Sequence, residues 1–204
     1  MRTDNSNGAG HVTNSRLPCK SQRAWRIAAV FSWLIVTASV AAPVNAQSAE
    51  YEIKAAFLCK FGNYIEWPSQ RGEFAEIPFG IGVAASDAVV DELTRVARGQ
   101  TVNGRPIVVR RLVVGDRLNG LDILFVARSH AAHFADTLAA VKGQAILTVT
   151  ESDPGTPVGG MVNFVVVADK VKFDIALEPA EQSNLKVSAR LLSVARAVSG
   201  RTSQ

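Results

Sequence analysis

Apolar residues recur at helical spacing in the first strongly patterned segment, residues 50–65. The intervals are four, four and three, and the stripe consists of Ile53, Phe57, Phe61 and Tyr64. This spacing predicts one amphipathic helix. Three charged residues fall off the stripe, namely Glu52, Lys54 and Lys60. The pair Trp67-Pro68 predicts the end of the helix, because a residue before proline avoids the helical region.

Further along the chain, apolar and β-branched runs predict four strands. These runs are 77–86, 106–114, 121–129 and 145–150. A helix capped by Ser86 or Asp87 is expected after the first strand, and a helix capped by Ser129 and closed by Gly143 after the third. The run at 121–129 is apolar throughout, as expected of a strand buried on both faces. The alternation predicts an α/β domain with a largely parallel central sheet flanked by helices.

The remaining segments predict antiparallel elements and a terminal helix. Asn103-Gly104 is typical of a tight turn. Residues 161–168 and 171–177 predict a hairpin around Asp169-Lys170. A final helical region is expected from Pro179, with an apolar stripe made by Val187, Leu191, Val194 and Val198.

The N-terminal residues have the order of parts of an export signal. Basic residues precede an uncharged apolar stretch, and small residues precede a cleavage point after Ala46. Pro43 is expected to end the helix of the apolar stretch. The alternative is an uncleaved anchor, but 27–42 is short of the roughly 20 apolar residues that a spanning helix needs. We therefore predict a signal peptide with a polar extension (1–46) and one domain (47–204), located in the periplasm.

Charge and cysteine content change once this leader is set aside. Five of the 22 Lys and Arg residues, but only one of the 18 Asp and Glu residues, lie in 1–46, which leaves 17 of each in 47–204. A neutral domain without a basic run lacks the charge pattern of a nucleic-acid binder. Cys19 lies in the leader, so Cys59 has no partner for an internal disulfide. We expect Cys59 to be a small buried residue, with a reactive thiol or an intermolecular bridge as alternatives.

Motifs that would carry catalysis are scarce. There is no GxGxxG motif placed between a strand and a helix, no GxxxxGK[ST] loop and no GxSxG elbow. His130 and His133 lie one turn apart on a predicted helix, with Asp136 as a third candidate ligand. No HExxH frame or cysteine ligand accompanies them, so a polar helix face is the simpler interpretation. We predict no catalytic residue, cofactor or metal.

Aromatic residues are concentrated around the end of the first predicted helix. Four of them, Phe57, Phe61, Tyr64 and Trp67, lie within eleven residues of a chain with 7% aromatic residues. Phe57 and Phe61 are expected to pack on the sheet. Tyr64 and Trp67 are candidates for a pocket rim or a partner contact, since such residues are enriched at interfaces. Packing in the core is the open alternative.

Three segments resemble the YfiR/HmsC-type periplasmic proteins. KAAFLCKFGNYIEWP (54–68) is similar to the first-helix signature of that family. GGMVNFVVVADKVKFDIAL (159–177) resembles the Gly–hydrophobic–Asn–Phe strand of the family and the hairpin that follows it. NLKVSARLLSVARAV (184–198) resembles the C-terminal segment of the family. The resemblance implies a periplasmic α/β domain that regulates rather than catalyses. The best-known member binds the periplasmic sensor part of a membrane-bound diguanylate cyclase, an outer-membrane lipoprotein relieves this restraint, and members form dimers.

The chain departs from the family pattern at three points. It lacks the disulfides of the well-studied regulator, and it has Ala176 where Asn is frequent. It also has Asn184 where Gly is common, although Asn tolerates the left-handed conformation that a turn needs.

The leading hypothesis is a non-enzymatic periplasmic regulator that acts by protein–protein contact. Its partner-binding residues are predicted to be Tyr64, Trp67, Phe164, Phe173 and Leu185. The alternative is a small-molecule binding module serving a transporter or sensor, with an anion held at the Ser86–Asp87 and Arg128–Ser129 turns. A hydrolase or metal enzyme built on His130 and His133 is the third.

Overall fold

The computed structural model describes residues 43–68, 77–154, 156 and 159–200, with side chains from Gln47 onward. The predicted export signal therefore lies outside the described residues, apart from the backbone of 43–46. Within the described part of the chain, no helix combines the length and apolar character needed to cross a membrane.

The described residues alternate between helices and strands, as the hydrophobic pattern predicts. The helices are α1 (Pro43–Phe61), α2 (Asp87–Ala97), α3 (Ala135–Ala140), α4 (Leu177–Gln182) and α5 (Ala189–Val194), with a 3₁₀ turn at Arg128–His130. The strands are β1 (Ile65–Glu66), β2 (Phe79–Ala84), β3 (Thr101–Val102), β4 (Arg105–Arg111), β5 (Ile123–Val126), β6 (Leu147–Glu151), β7 (Val162–Val167), β8 (Lys170–Ala176), β9 (Lys186–Val187) and β10 (Ala197–Ser199).

One eight-stranded sheet organises the chain, in the order β10-β8-β7-β6-β5-β2-β4-β3. The five strands from β7 to β4 run parallel, while β7–β8 and β3–β4 are antiparallel hairpins and β10 lies parallel to β8. β1 and β9 form a separate antiparallel ladder. The predicted fold class, a largely parallel α/β sheet with an antiparallel hairpin and a terminal helix, is confirmed.

The two faces of the sheet differ in chemistry at β6 and β7, whereas both faces are apolar at β2 and β5. Alternate residues of a strand point to opposite faces, and one set is aromatic and aliphatic. This aromatic face is defined by Phe125, Phe164 and Phe173, which belong to the largest buried cluster together with α1. On β6 and β7 the opposite side carries Thr148, Thr150 and Asn163, which we call the polar face.

The two glycines of β2 allow close packing against the strand. A Cβ on Gly80 would collide with the carbonyl oxygen of Gly120, and one on Gly82 would lie 2.6 Å from side-chain atoms of Leu112 and Leu121. The loop between β4 and β5 therefore packs directly on the strand backbone.

Two turn predictions have different outcomes. Asn103 and Gly104 have φ of 50° and 81°, as the predicted Asn-Gly turn requires. In the second hairpin the left-handed residues are Ala168 and Asp169, with φ of 49° and 58°. The turn therefore lies one residue earlier than predicted, and Lys170 already belongs to β8.

The predicted helix after Ser129 is wrong in length and capping. Residues 128–130 form a 3₁₀ turn, and α3 spans only Ala135–Ala140. Phe134 precedes α3 with φ −104° and ψ 9°, outside helical geometry, while its side chain is 2% exposed. Burial of this phenylalanine fixes the chain there, so the helix begins after it.

The single C-terminal stripe is also wrong. Val187 lies in β9, Val198 lies in β10 and Val194 is 64% exposed, so only Leu191 has the buried helical position that was predicted. Asn184, with φ of 57°, ends the preceding helical segment in the left-handed turn expected of it. The Arg196 N–H donates to the carbonyl of Phe173 (2.8 Å), which draws the chain into the sheet as β10.

Candidate functional site

Phenylalanines from the first and second family-like segments meet at the centre of the aromatic face. Phe61 of α1 stacks on Phe164 with ring centroids 5.8 Å apart and meets Phe173 edge-on at 5.3 Å. Phe57 contacts the same two rings at 6.1 and 5.4 Å. Such offset and edge-on geometries add about 0.5–1.5 kcal/mol per pair beyond burial. The expectation that Phe57 and Phe61 pack on the sheet is confirmed.

Three of the five predicted partner-binding residues belong to this core. Phe164 and Leu185 are 1% exposed and Phe173 is 2% exposed. A fully covered side chain offers no surface to a partner, so contact through these three is wrong for the folded chain. The sequence pattern did not reveal this because it cannot show which way a side chain points. Both strands of the β7–β8 hairpin and the segment after α4 turn these three side chains into the largest buried cluster.

Tyr64 and Trp67 differ from those three residues because they are only partly buried. Trp67 packs edge-on against Phe79, with ring centroids 5.4 Å apart. Its indole Nε1 is buried and has no hydrogen-bond partner among the described residues. The Tyr64 carbonyl accepts from the Ser188 N–H (2.9 Å), and β1 follows directly. The two aromatic residues therefore flank the β1–β9 ladder, where the exposed pair Glu66 and Lys186 face each other.

A buried charged cluster at the carboxyl ends of the strands was missed. Lys54, expected off the apolar stripe, is 3% exposed, and its Nζ lies 2.8 Å from Oε1 of Glu151, whose side chain is also 3% exposed. Lys54 pairs with Glu50 as well and lies over the Tyr51 ring at 4.7 Å. Ile53, placed on the stripe, is 46% exposed instead. The buried side of α1 is rotated toward Ala55 and Leu58.

Glu151 is the centre of that cluster. One of its carboxylate oxygens accepts from the Tyr51 hydroxyl (3.4 Å) and from the Arg128 N–H (3.0 Å). Burial, followed by the charge of Glu151, raises the pKa of Tyr51 above its ordinary value, so the phenol stays protonated. The carboxylate thus ties α1 to the carboxyl edge of the sheet.

The same contact overturns the anion site proposed at the Arg128–Ser129 turn. The Arg128 N–H that would face an external anion already donates to an internal carboxylate, Glu151. No α-helix starts at this turn, because α3 begins only at Ala135.

The polar face is held by a small hydrogen-bonded network. The Thr150 hydroxyl donates to Oδ1 of Asn163 (3.0 Å), and Nδ2 of Asn163 donates to Oγ of Ser152 (2.6 Å). Asn163 is fully buried, which explains the Asn of the second family-like segment as a structural residue. A Cβ on Gly160 would lie 2.9 Å from the Thr148 carbonyl oxygen. A cavity of about 490 Å³ lies beside this network, lined by α3 residues and by Thr150 and Asn163.

The remaining candidates for chemistry are His130, His133 and Cys59. The described residues contain no group of three or more His, Cys, Asp or Glu side chains placed to hold a metal. Nδ1 of His130 lies 2.9 Å from the Ser129 hydroxyl, and His133 is exposed. Cys59 is a free, buried cysteine, and burial raises the pKa of its thiol to about 11. This is the environment of an unreactive, apolar cysteine, as expected.

Comparison with known protein families places the chain. A family model described as YfiR/HmsC-like matches residues 51–196, which is most of the chain. No curated protein matches the chain. The matched range contains the phenylalanine cluster of α1, β7 and β8 and the buried Asn163. The chain therefore belongs to the YfiR/HmsC-like family.

Proposed function

We propose that this chain is a periplasmic regulator that restrains a membrane-bound diguanylate cyclase by contact with the cyclase's periplasmic sensor domain. A second copy of the chain and an outer-membrane lipoprotein are its other proposed partners. The family match over residues 51–196 is the observation that carries this proposal. It supports regulation rather than catalysis, while the export-signal pattern of residues 1–46 supports the proposed location in the periplasm.

The surface proposed for the cyclase is the exposed side of the β1–β9 ladder. It is defined by Tyr64, Glu66, Trp67 and Lys186. Tyr and Trp residues are frequent anchors in protein interfaces. The ring of Trp67 is held against Phe79, so little of its side-chain entropy remains to be lost on binding, and the Ser188 N–H fixes the backbone at Tyr64.

The experiment measures cyclic-di-GMP in cells that lack the chain and in cells to which it is returned. The nucleotide should rise on loss and fall on return of the unchanged chain, while Trp67→Ala should fail to lower it. A Trp67→Phe variant keeps an aromatic ring against Phe79 and serves as the matched control. Unchanged nucleotide levels on loss of the chain would refute the proposal.

A thermal melt of Trp67→Ala separates the two roles that remain open for this residue. A folded variant that fails to restrain the cyclase supports partner contact. A variant that is unfolded at growth temperature shows that Trp67 belongs to the core.

A small-molecule binding module is the second candidate function. The cavity of about 490 Å³ between α3 and the polar face favours it, because α3 leaves this part of the sheet open. Its wall combines apolar α3 residues with hydroxyl, amide and charged groups, and a mixture of apolar surface with a few polar groups is typical of ligand pockets. A panel of metabolites that raises the melting temperature of the wild type, but not of a variant with Ala135→Trp filling the cavity, would support it.

A further inference from the structure

Strand β4 has an outer side that is only partly covered. β3 pairs with Arg105 and Pro106, and the Ile107 N–H donates to the Gln100 carbonyl (3.1 Å). After Ile107, no strand of the described chain pairs with this side of β4. The last four residues of the strand therefore form an open sheet edge.

The hydrogen bonds of β4 show which backbone groups face that edge. The Leu112 N–H donates to the Val83 carbonyl of β2 (2.9 Å), whereas Ile107 donates to the opposite side. Successive residues of a strand alternate in direction, so the N–H and C=O groups of Val109 and Arg111 point away from β2. Unpaired groups of this kind are a template for an added strand.

Exposed apolar side chains accompany the open edge. Val108, Val113 and Val114 are 48%, 56% and 62% exposed. Isolated exposed valines are ordinary, but here three lie within seven residues of the chain at one end of this edge. A cavity of about 300 Å³ lies beside Val113 and Val114, with His133 and Phe134 on its other wall. Its size suits one apolar side chain of a bound segment.

The charge at this edge is positive on balance, because Arg110, Arg111 and Arg117 outnumber Asp87 and Asp116. Arg110 is exposed, its guanidinium donates to the neutral carbonyl of Arg117, and it forms no ion pair among the described residues. Arg111 pairs with Asp87, but the two side chains are 54% and 70% exposed, so solvent screens the pair. Arg117 is exposed as well. An occupant should therefore carry acidic side chains.

Charge also argues against a second copy of this chain as the occupant. β3 and Gln100 cover the outer side of β4 up to Ile107. Two β4 strands paired antiparallel beyond that point, with the backbone groups of both Val109 and Arg111 in the ladder, would be centred on Arg110. That arginine would then face its own copy, and like charges directly opposite destabilise a strand pair. A lipid surface would leave the Val109 and Arg111 backbone groups without strand partners.

We propose that the open edge of β4 binds an extended acidic segment of a partner protein by strand addition. The segment pairs with the backbone of Val109 and Arg111, places acidic side chains beside Arg110 and Arg111, and inserts one apolar side chain next to Val114. This edge lies at the carboxyl ends of β2 and β4. The cyclase surface proposed above lies at the opposite end, where Trp67 contacts Phe79, the first residue of β2.

The test uses the whole chain and a peptide of about ten residues that repeats Glu-Glu-Val, so that acidic side chains lie on both faces of the added strand, beside Arg110 and Arg111. Two comparison peptides are used, one with Lys in place of Glu and one N-methylated at alternate residues. The acidic peptide should bind at least about ten-fold more tightly than the lysine peptide. N-methylation should abolish binding, because it removes the donors for strand pairing. Hydrogen exchange at the Val109 and Arg111 amides should slow on binding.

Charge reversal locates the site. Arg110→Glu combined with Arg111→Glu should weaken binding about ten-fold or more, whereas the matched control, Lys170→Glu with Lys172→Glu on the exposed side of β8, should leave it within about two-fold. Thermal melts check that both variants fold. If the Arg110→Glu/Arg111→Glu variant does not fold, the single variant Arg117→Glu replaces it. The cyclic-di-GMP assay of the proposed function can fail without affecting this result.

Four outcomes would overturn the proposal. These are equal binding of acidic and lysine peptides, unchanged binding after N-methylation, equal loss in the control variant, and no binding at all. Two further results would overturn it if they were found in place of peptide binding. These are self-association of the chain, and binding to anionic phosphatidylglycerol vesicles, when either depends on Arg110 and Arg111.

Discussion

The aromatic face and the polar face of the same sheet are stabilised in different ways. On the aromatic face, α1 buries Phe61 against Phe164 and Phe173, and the contact is apolar packing. On the polar face, the short α3 buries none of its residues, and Thr150 and Asn163 bond to each other. The family-like segments supply most of the aromatic face. The family-like segments therefore describe the phenylalanine core and the buried amide of Asn163. Surfaces that contact a partner must be sought outside both.

The largest expected effect breaks the aromatic face. Phe164→Ala removes a ring in contact with Phe57, Phe61 and Phe125. The free energy of unfolding should fall by about 3–5 kcal/mol in urea denaturation. Val167→Ala, on the same strand but exposed, should change it by less than about 0.5 kcal/mol. Similar losses in the two variants would contradict the assignment of the core.

The next effect tests the charged tie between α1 and the sheet. Lys54→Met leaves Glu151 buried without its cation and should cost about 3 kcal/mol of unfolding free energy. Lys60→Met, exposed on the same helix, is the control and should be nearly neutral. Adding Glu151→Leu to Lys54→Met should recover part of the loss, because it removes the unpaired charge. A Lys54→Met variant as stable as its control would show that the pair contributes nothing.

A smaller effect is expected on the polar face. Asn163→Ala leaves the Thr150 hydroxyl and Ser152 without a shared partner and should cost about 1–3 kcal/mol. Thr150→Val keeps the volume while removing the hydroxyl. A double-mutant cycle of Asn163→Ala and Thr150→Val should give a coupling energy between the two side chains above about 0.5 kcal/mol. Strict additivity of the two losses would mean that the two side chains do not act together.

The smallest effect concerns pH and Cys59. Burial raises the pKa of this thiol to about 11, so the folded chain keeps its proton while the unfolded chain begins to lose it near pH 9. Stability from this group is therefore complete below pH 9 and is lost as pH rises toward 11. Between pH 9 and pH 10 the wild type should lose about 1 kcal/mol more than Cys59→Ala. Parallel pH profiles would contradict the burial of the thiol.

The hydrophobic pattern was sufficient for most of the sheet. The apolar run around Ile123–Val126 and the alternation of Phe79, Ile81 and Val83 report burial directly, because a strand presents every second residue to one face. The Asn103-Gly104 turn was readable because its residues tolerate positive φ.

Other features depend on contacts that are distant in sequence. Lys54 looked solvent-exposed because its partner Glu151 lies 97 residues away. Val187 and Val198 have helical spacing from Leu191, yet each is held in a strand by a distant segment, β1 or β8. The predicted contact residues Phe164, Phe173 and Leu185 were misplaced for the same reason. An apolar residue in a family motif signals packing as readily as recognition.

The most direct test of the central claim is a binding measurement between this chain and the periplasmic sensor domain of a diguanylate cyclase from the same cells. We predict a saturable complex with the wild type and with Trp67→Phe, and at least about ten-fold weaker binding by a folded Trp67→Ala variant, as for loss of an interface anchor. Absence of a complex with the wild type, at concentrations at which the chain is folded, would contradict the account.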